Sequence, residues 1–163
     1  MSVAKYADLR ALKRALERDV AKVMQTKVAK VVMEAQQAAI QETVYGAYSP
    51  KEYIRRGEGG GLASASNIQN TGSGLTVVVQ NFTQPSEQGN TPDNPNPWGE
   101  FTTTDKDLPA TVEFGGGYDY THGGGGFMEP RPFVEATVER LASTKQHLFT
   151  LAEGLSAMGY QVR

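Results

Sequence analysis

The chain has 163 residues, of which 39% are hydrophobic and 21% charged, with a formal net charge of −2 and no cysteine. Such a length suits one domain able to bury a substantial core, and the lack of cysteine excludes a disulfide framework, a thiolate metal site and a cysteine nucleophile. No apolar run approaches the roughly 20 residues that span a bilayer, and the N-terminus, MSVAKYADLRALKRALERD, lacks the unbroken apolar segment of a secretory signal, so synthesis in the cytoplasm and no membrane association are expected.

Between Val3 and Tyr45 there is neither Gly nor Pro. Leu9, Leu12, Leu16, Val20, Val23, Met24, Val28, Val31, Val32, Ala35, Ala39 and Ile40 recur mostly at steps of three or four, which predicts one amphipathic helix or two nearly collinear ones. Gly46 is the expected stop. Forty helical residues span about 60 Å, whereas a compact chain of this length has a radius of gyration of about 15 Å. Either the helix folds back, or another subunit covers part of its apolar stripe. With no turn signal between Tyr6 and Tyr45, the second is favoured. Residues 1–40 carry eight Lys or Arg against four Asp or Glu, and Arg10, Arg14, Arg18 and Lys22 form a ridge beside the stripe. Contact with phosphate or an acidic surface is the functional reading of that ridge. The interleaved Glu17 and Asp19 favour a plain solvated flank.

The middle of the chain changes character. Leu75–Phe82, LTVVVQNF, is β-branched and bounded by Gly74 and Pro85, and it predicts a strand. Leu62–Ile68 is its expected partner across the turn-rich residues 70–74, and Ala110–Phe114, ATVEF, is expected as a third strand. Such a small antiparallel sheet needs a helix on one face. Residues 83–108 form a long loop containing four prolines, and loops of that length are functional or disordered. A second loop, residues 115–129, is rich in glycine and carries aromatic side chains.

Pro130-Arg131-Pro132 opens the last element, with Pro132 suited to a first helical turn. Val134, Val138, Leu141, Leu148, Leu151, Leu155 and Met158 mark its apolar face and Gly159 its C-cap. The expected architecture is one α+β domain over 1–163: a long helix (1–46), a small antiparallel sheet with long loops (47–129), and a C-terminal helix (130–160) packed on the sheet.

Chemistry is sparse. His122 has only Asp119 near it in sequence, and His147 reads as an exposed helical residue, so no metal site is assigned. Prolines interrupt the calcium-like Asp93, Asn94 and Asn96. The glycines at 57 and 59–61 follow a helix and lack a Lys-Ser or Lys-Thr pair, so they make no phosphate cradle. No serine sits in a nucleophile elbow. Glu100, Asp105, Asp107 and Glu113 could still meet in space as paired carboxylates. The expectation is a non-enzyme without cofactor.

Two stretches carry a resemblance. VYGAYSPKEYIRRGEGGGL, residues 44–62, is similar to the segment after the first helix in small neck or tail-completion proteins of long-tailed bacteriophages. VEFGGGYDYTHGGGGFMEPRPF, residues 112–133, resembles the same family's strand ending V-E-F-G, variable glycine loop and R-P-F at the start of the final helix. The long 83–108 segment and the extra glycines after Phe114 depart from that pattern.

The resemblance implies a virion subunit in a ring, sixfold like the tail, at the head–tail junction. Its neighbours would be head-closure and tail-tube or tail-terminator proteins, with DNA passing close by in the channel. Tyr48, Pro50, Tyr53, Arg55 and Arg56 combine residue types enriched at interfaces, although Tyr48 and Tyr53 could equally cover the end of the long helix. Leu12 and Leu16 are candidate contacts through the overlong stripe. Phe133 is expected in the core, with Arg131 paired to a carboxylate such as Glu113. The alternatives are a carbohydrate-binding or other adhesive module using Trp98, Tyr118 and Tyr120, a small cell-wall hydrolase, and a nucleic-acid-binding module.

Overall fold

A computed structural model describes residues 7–47, 60–84, 108–115 and 129–162. The long helix opens at Asp8, whose extended backbone (φ −157°) lets its carboxylate accept the Ala11 N–H at 2.7 Å. Helix α1, Leu9–Val23, then passes without a break through a π-helical stretch, Met24–Val28, into α2, Ala29–Ala39, and through a second π-helical stretch, Ile40–Tyr45. Each wide stretch contains a threonine whose hydroxyl donates to the carbonyl four residues back: Thr26 to Lys22 and Thr43 to Ala39. Such back-bonding competes with the backbone donor for the same acceptor, and it accompanies the widening of the turn. The rod closes where the Gly46 N–H donates to the Gln41 carbonyl at 2.8 Å. A Cβ at Gly46 would lie 2.7 Å from the Glu42 carbonyl oxygen, which explains the glycine stop. Of the two expected forms, one helix or two nearly collinear ones, the structure has the continuous one, and it ends at Gly46 as expected.

The sheet has two strands among the described residues. β1, Ile68–Asn70, pairs antiparallel with β2, Val79–Asn81, in the register Ile68↔Asn81, Gln69↔Gln80 and Asn70↔Val79. The strand expected over Leu75–Phe82 is thus confined to its last residues. Leu62–Ile68, its expected partner, is a run of turns that joins the sheet only at Ile68. Asn70 explains the shortening, because its side-chain oxygen accepts the N–H groups of Gly72 and Val78 and closes the connection as a turn.

The third expected strand is a helix, α3, Leu108–Phe114. Five residues, of which only Thr111 and Val112 are β-branched, cannot be assigned by periodicity alone. Pro109 in the first turn and Ala110 after it favour the helix. The strand ending V-E-F-G implied by the resemblance is corrected in the same way. Arg131 N–H then donates to the Val112 carbonyl at 2.9 Å, tying α3 to the start of the C-terminal helical region.

The C-terminal helix is also broken in two. α4, Phe133–Thr144, and α5, Gln146–Ala157, meet at Lys145, which takes the left-handed conformation (φ 51°, ψ 20°). A lysine carries none of the glycine signal that would mark such a break. Phe133 meets Ile68 of the sheet, but the two helices lie mainly along the long helix rather than on the sheet. The core joins Ala39, Ile40 and Val44 to Leu62, Ile68 and Phe133. It therefore gathers at the C-terminal half of the rod.

Candidate assembly surface

The rod is only partly covered. α5 lies across its middle, where Gly154 touches Val23 and the Tyr160 hydroxyl donates to Asp19 at 2.8 Å. On the N-terminal side of that crossing, Ala15 is buried, but Leu9 is 82% exposed, Leu12 38% and Leu16 40%. Fully burying a leucine side chain is worth about 1.5–3 kcal/mol, so Leu9, mostly in water, and the uncovered parts of Leu12 and Leu16 leave apolar burial unclaimed on one stripe. Leu12 and Leu16, singled out from the sequence, fall on this stripe.

A second uncovered face lies on α4. Its inner side turns Phe133 and Thr137 into the protein, while Val134 is 44% exposed and Val138 61%. The apolar repeat places both valines on the inner face, and the structure turns them outward. α5 shows the same correction. His147, Leu151 and Gly154 face inward, whereas Leu148 and Phe149 face outward. The break at Lys145 resets the helical phase, so a stripe read continuously from 134 to 158 cannot hold. His147, expected to be exposed, is half-buried, and its Nδ1 is enclosed without a hydrogen-bond partner.

Two polar devices hold the frame that presents these faces. Gln25, in the first π-helical stretch, donates from its amide to the carbonyls of Gly74 (3.0 Å) and Thr76 (2.9 Å) and accepts from Asn70 at 2.6 Å. This clamps the β1–β2 connection to the rod. Glu113 accepts the N–H groups of Val134 (2.9 Å) and Glu135 (3.4 Å), so its carboxylate caps the N-terminus of α4. The expected pairing of Glu113 with Arg131 is therefore corrected: among the described residues no ion pair joins them, because the carboxylate is used by the helix. Arg131 is itself buried and hydrogen-bonded, Pro132 supplies the carbonyl that accepts the Ala136 N–H, and Phe133 enters the core as expected.

Tyr48, Pro50, Tyr53, Arg55, Arg56, Trp98, Tyr118 and Tyr120 lie outside the described residues, as do His122 and most of the 83–108 and 115–129 loops. Arg10, Arg14, Arg18 and Lys22 are exposed along the rod, where Arg18 lies 3.4 Å from Asp19. Among the described residues no three His, Asp or Glu side chains are grouped to hold a metal ion, and no helix is long and apolar enough to cross a membrane. Sequence reasoning missed Gln25 and the outward valines. Phe149, which fits no position of the apolar repeat, was the one available sign that α5 presents an apolar outer side.

Among protein families, a model described as YomN matches residues 8–157. No curated protein and no solved structure matches the chain.

Proposed function

The chain belongs to the YomN family, a phage-derived family, and is thus phage-associated; from that premise we propose that it is a structural subunit of a phage neck or tail, assembling as a ring at the head–tail junction. The observation that carries this reading is the rod itself. Its C-terminal half anchors a core, while its N-terminal half holds an exposed leucine stripe. A chain with its own core but a protruding apolar arm is built to be completed by another subunit.

Head-closure and tail-tube or tail-terminator proteins are the partners above and below such a ring, and channel DNA passes its inner wall. The mechanism is mechanical, with packed subunit surfaces sealing the passage. The R-P-F opening of the final helix supports the kinship, since Phe133 begins α4 and enters the core.

The test is removal of the chain from phage production. A neck subunit predicts filled heads and finished tails that fail to join, and joining on addition of the purified chain. Joined, infectious particles formed without the chain would overturn the proposal.

A further inference from the structure

The two uncovered faces carry opposite charge. Beside Leu9, Leu12 and Leu16 stand Arg10 and Arg14, both exposed and in no ion pair among the described residues. Beside Val134 and Val138 stand Glu135 and Glu139, also exposed and in no such ion pair. The acidic groups interleaved on the rod already have partners, Asp8 in the Ala11 N–H, Glu17 in Lys13, and Asp19 in Arg18 and Tyr160. The charge left beside the leucines is therefore basic, and each face is an apolar ridge with a charged ridge near it, one basic and one acidic. Both are helical, so ridges of one can lie in the grooves of the other. Their opposite potentials favour this pairing over either face meeting itself, where like charges would be opposed.

The faces also lie far apart within one copy. α4 packs along the C-terminal half of the rod, where Arg140 bonds to Glu42. Thirty residues of helix separate Leu12 from Glu42, a rise of about 45 Å. A single copy cannot bring its own two faces together.

We infer that the N-terminal leucine face of one copy docks on the α4 valine face of the next, a head-to-tail contact between copies of this chain. This deepens the ring reading and rests on it. A contact between two different patches leaves a free leucine face at one end of the row and a free valine face at the other, so it propagates until the rotation closes it. One pair of short helical faces falls at the lower end of stable interface sizes. Ring closure compensates, because each copy then holds two neighbours at once.

The absence of native cysteine makes a direct test possible. Full-length Leu12→Cys and Val138→Cys chains are prepared separately and as a double variant, and a short bis-maleimide is added. Mass photometry of each sample without cross-linker records self-association. Mixing the two single variants should give one cross-linked dimer band and no higher species, neither alone should cross-link above a few per cent, and the double variant should give a ladder. Arg10→Glu/Arg14→Glu and Glu135→Lys/Glu139→Lys chains should each lose association at least tenfold, and mixing them should restore it to within about threefold.

A Leu12→Cys chain that cross-links to itself shows a face-to-itself contact and overturns the inference. Assembly that persists with no 12–138 product overturns it while leaving the ring reading standing. A chain that stays monomeric and gives no 12–138 product within particles refutes the contact. If such a chain is also absent from particles, the ring reading falls with it.

Discussion

Gly154 of α5 lies against Val23 of the long helix so closely that a Cβ at position 154 would stand 2.4 Å from Cγ1 of Val23. Val23 is almost fully buried, and a β-branched side chain in a helix has essentially one rotamer in which to stand. The glycine is what lets α5 cross the rod at this point and leave the leucines before it uncovered.

Gly154→Ala should therefore destabilise the fold. Overpacking costs about 1–3 kcal/mol, against about 1 kcal/mol recovered by replacing a helical glycine. Thermal unfolding should show a lower Tm for the single variant, and Val23→Ala combined with Gly154→Ala should be more stable than the sum of the two changes. An increase in Tm for Gly154→Ala alone would mean that the helices do not cross this tightly.

Glu113 is expected to contribute as a helix cap. Glu113→Ala should cost about 0.5–2 kcal/mol, in the range of other lost N-terminal acceptors. Glu113→Gln keeps a hydrogen-bond acceptor but loses the charge that favours the positive end of the helix, and it should fall between Ala and the native residue. Urea unfolding measures both. Equal stability of all three would remove the cap from the account.

Gln25→Ala should free the β1–β2 connection. The amides of Gly72 and Val78 donate to Asn70, whose own side chain is held by Gln25. Their hydrogen exchange should speed up at least tenfold in the variant, with exchange at Ile40 and Val44 little altered. Uniform acceleration across both sets would instead make Gln25 a determinant of global stability.

The Leu12→Asp/Leu16→Asp variant should lose assembly and keep its fold. Both leucines are more than a third exposed, so the charges enter a solvated face of the monomer. Far-ultraviolet circular dichroism should be unchanged and Tm within a few degrees of the parent, while mass photometry should show only monomer. Unfolding of the variant would assign these leucines to the monomer's own core.

The leucine stripe was readable because its cause is repetitive: a gap-free run of apolar residues at helical spacing is too long for a domain this size. Gly46 was readable for a similar reason, since a side chain there would strike the Glu42 carbonyl. The Ala110–Phe114 helix was not readable, because five residues show neither period clearly. The break at Lys145 was hidden by a residue type that rarely adopts positive φ. Glu113 was expected to seek a cation, but the unpaired N–H groups of α4 compete for the same carboxylate. Gln25 could not be found by local pattern at all, since its acceptors lie about fifty residues along the chain.

The π-helical stretch at Met24–Val28 has a bearing on how such a surface changes in descent. A wide turn accommodates roughly one residue more than a regular turn, and successive residues of an α-helix are about 100° apart around its axis. Loss of one codon within that stretch would restore a regular turn and leave Leu9, Leu12 and Leu16 facing as before, whereas loss of one codon from the regular helix beside it would swing them by about a quarter of a revolution, while Ile40, Val44 and Phe133 stayed where they are. The wide turn is thus a place where the rod can gain or shed a residue while the compass bearing of the arm is kept.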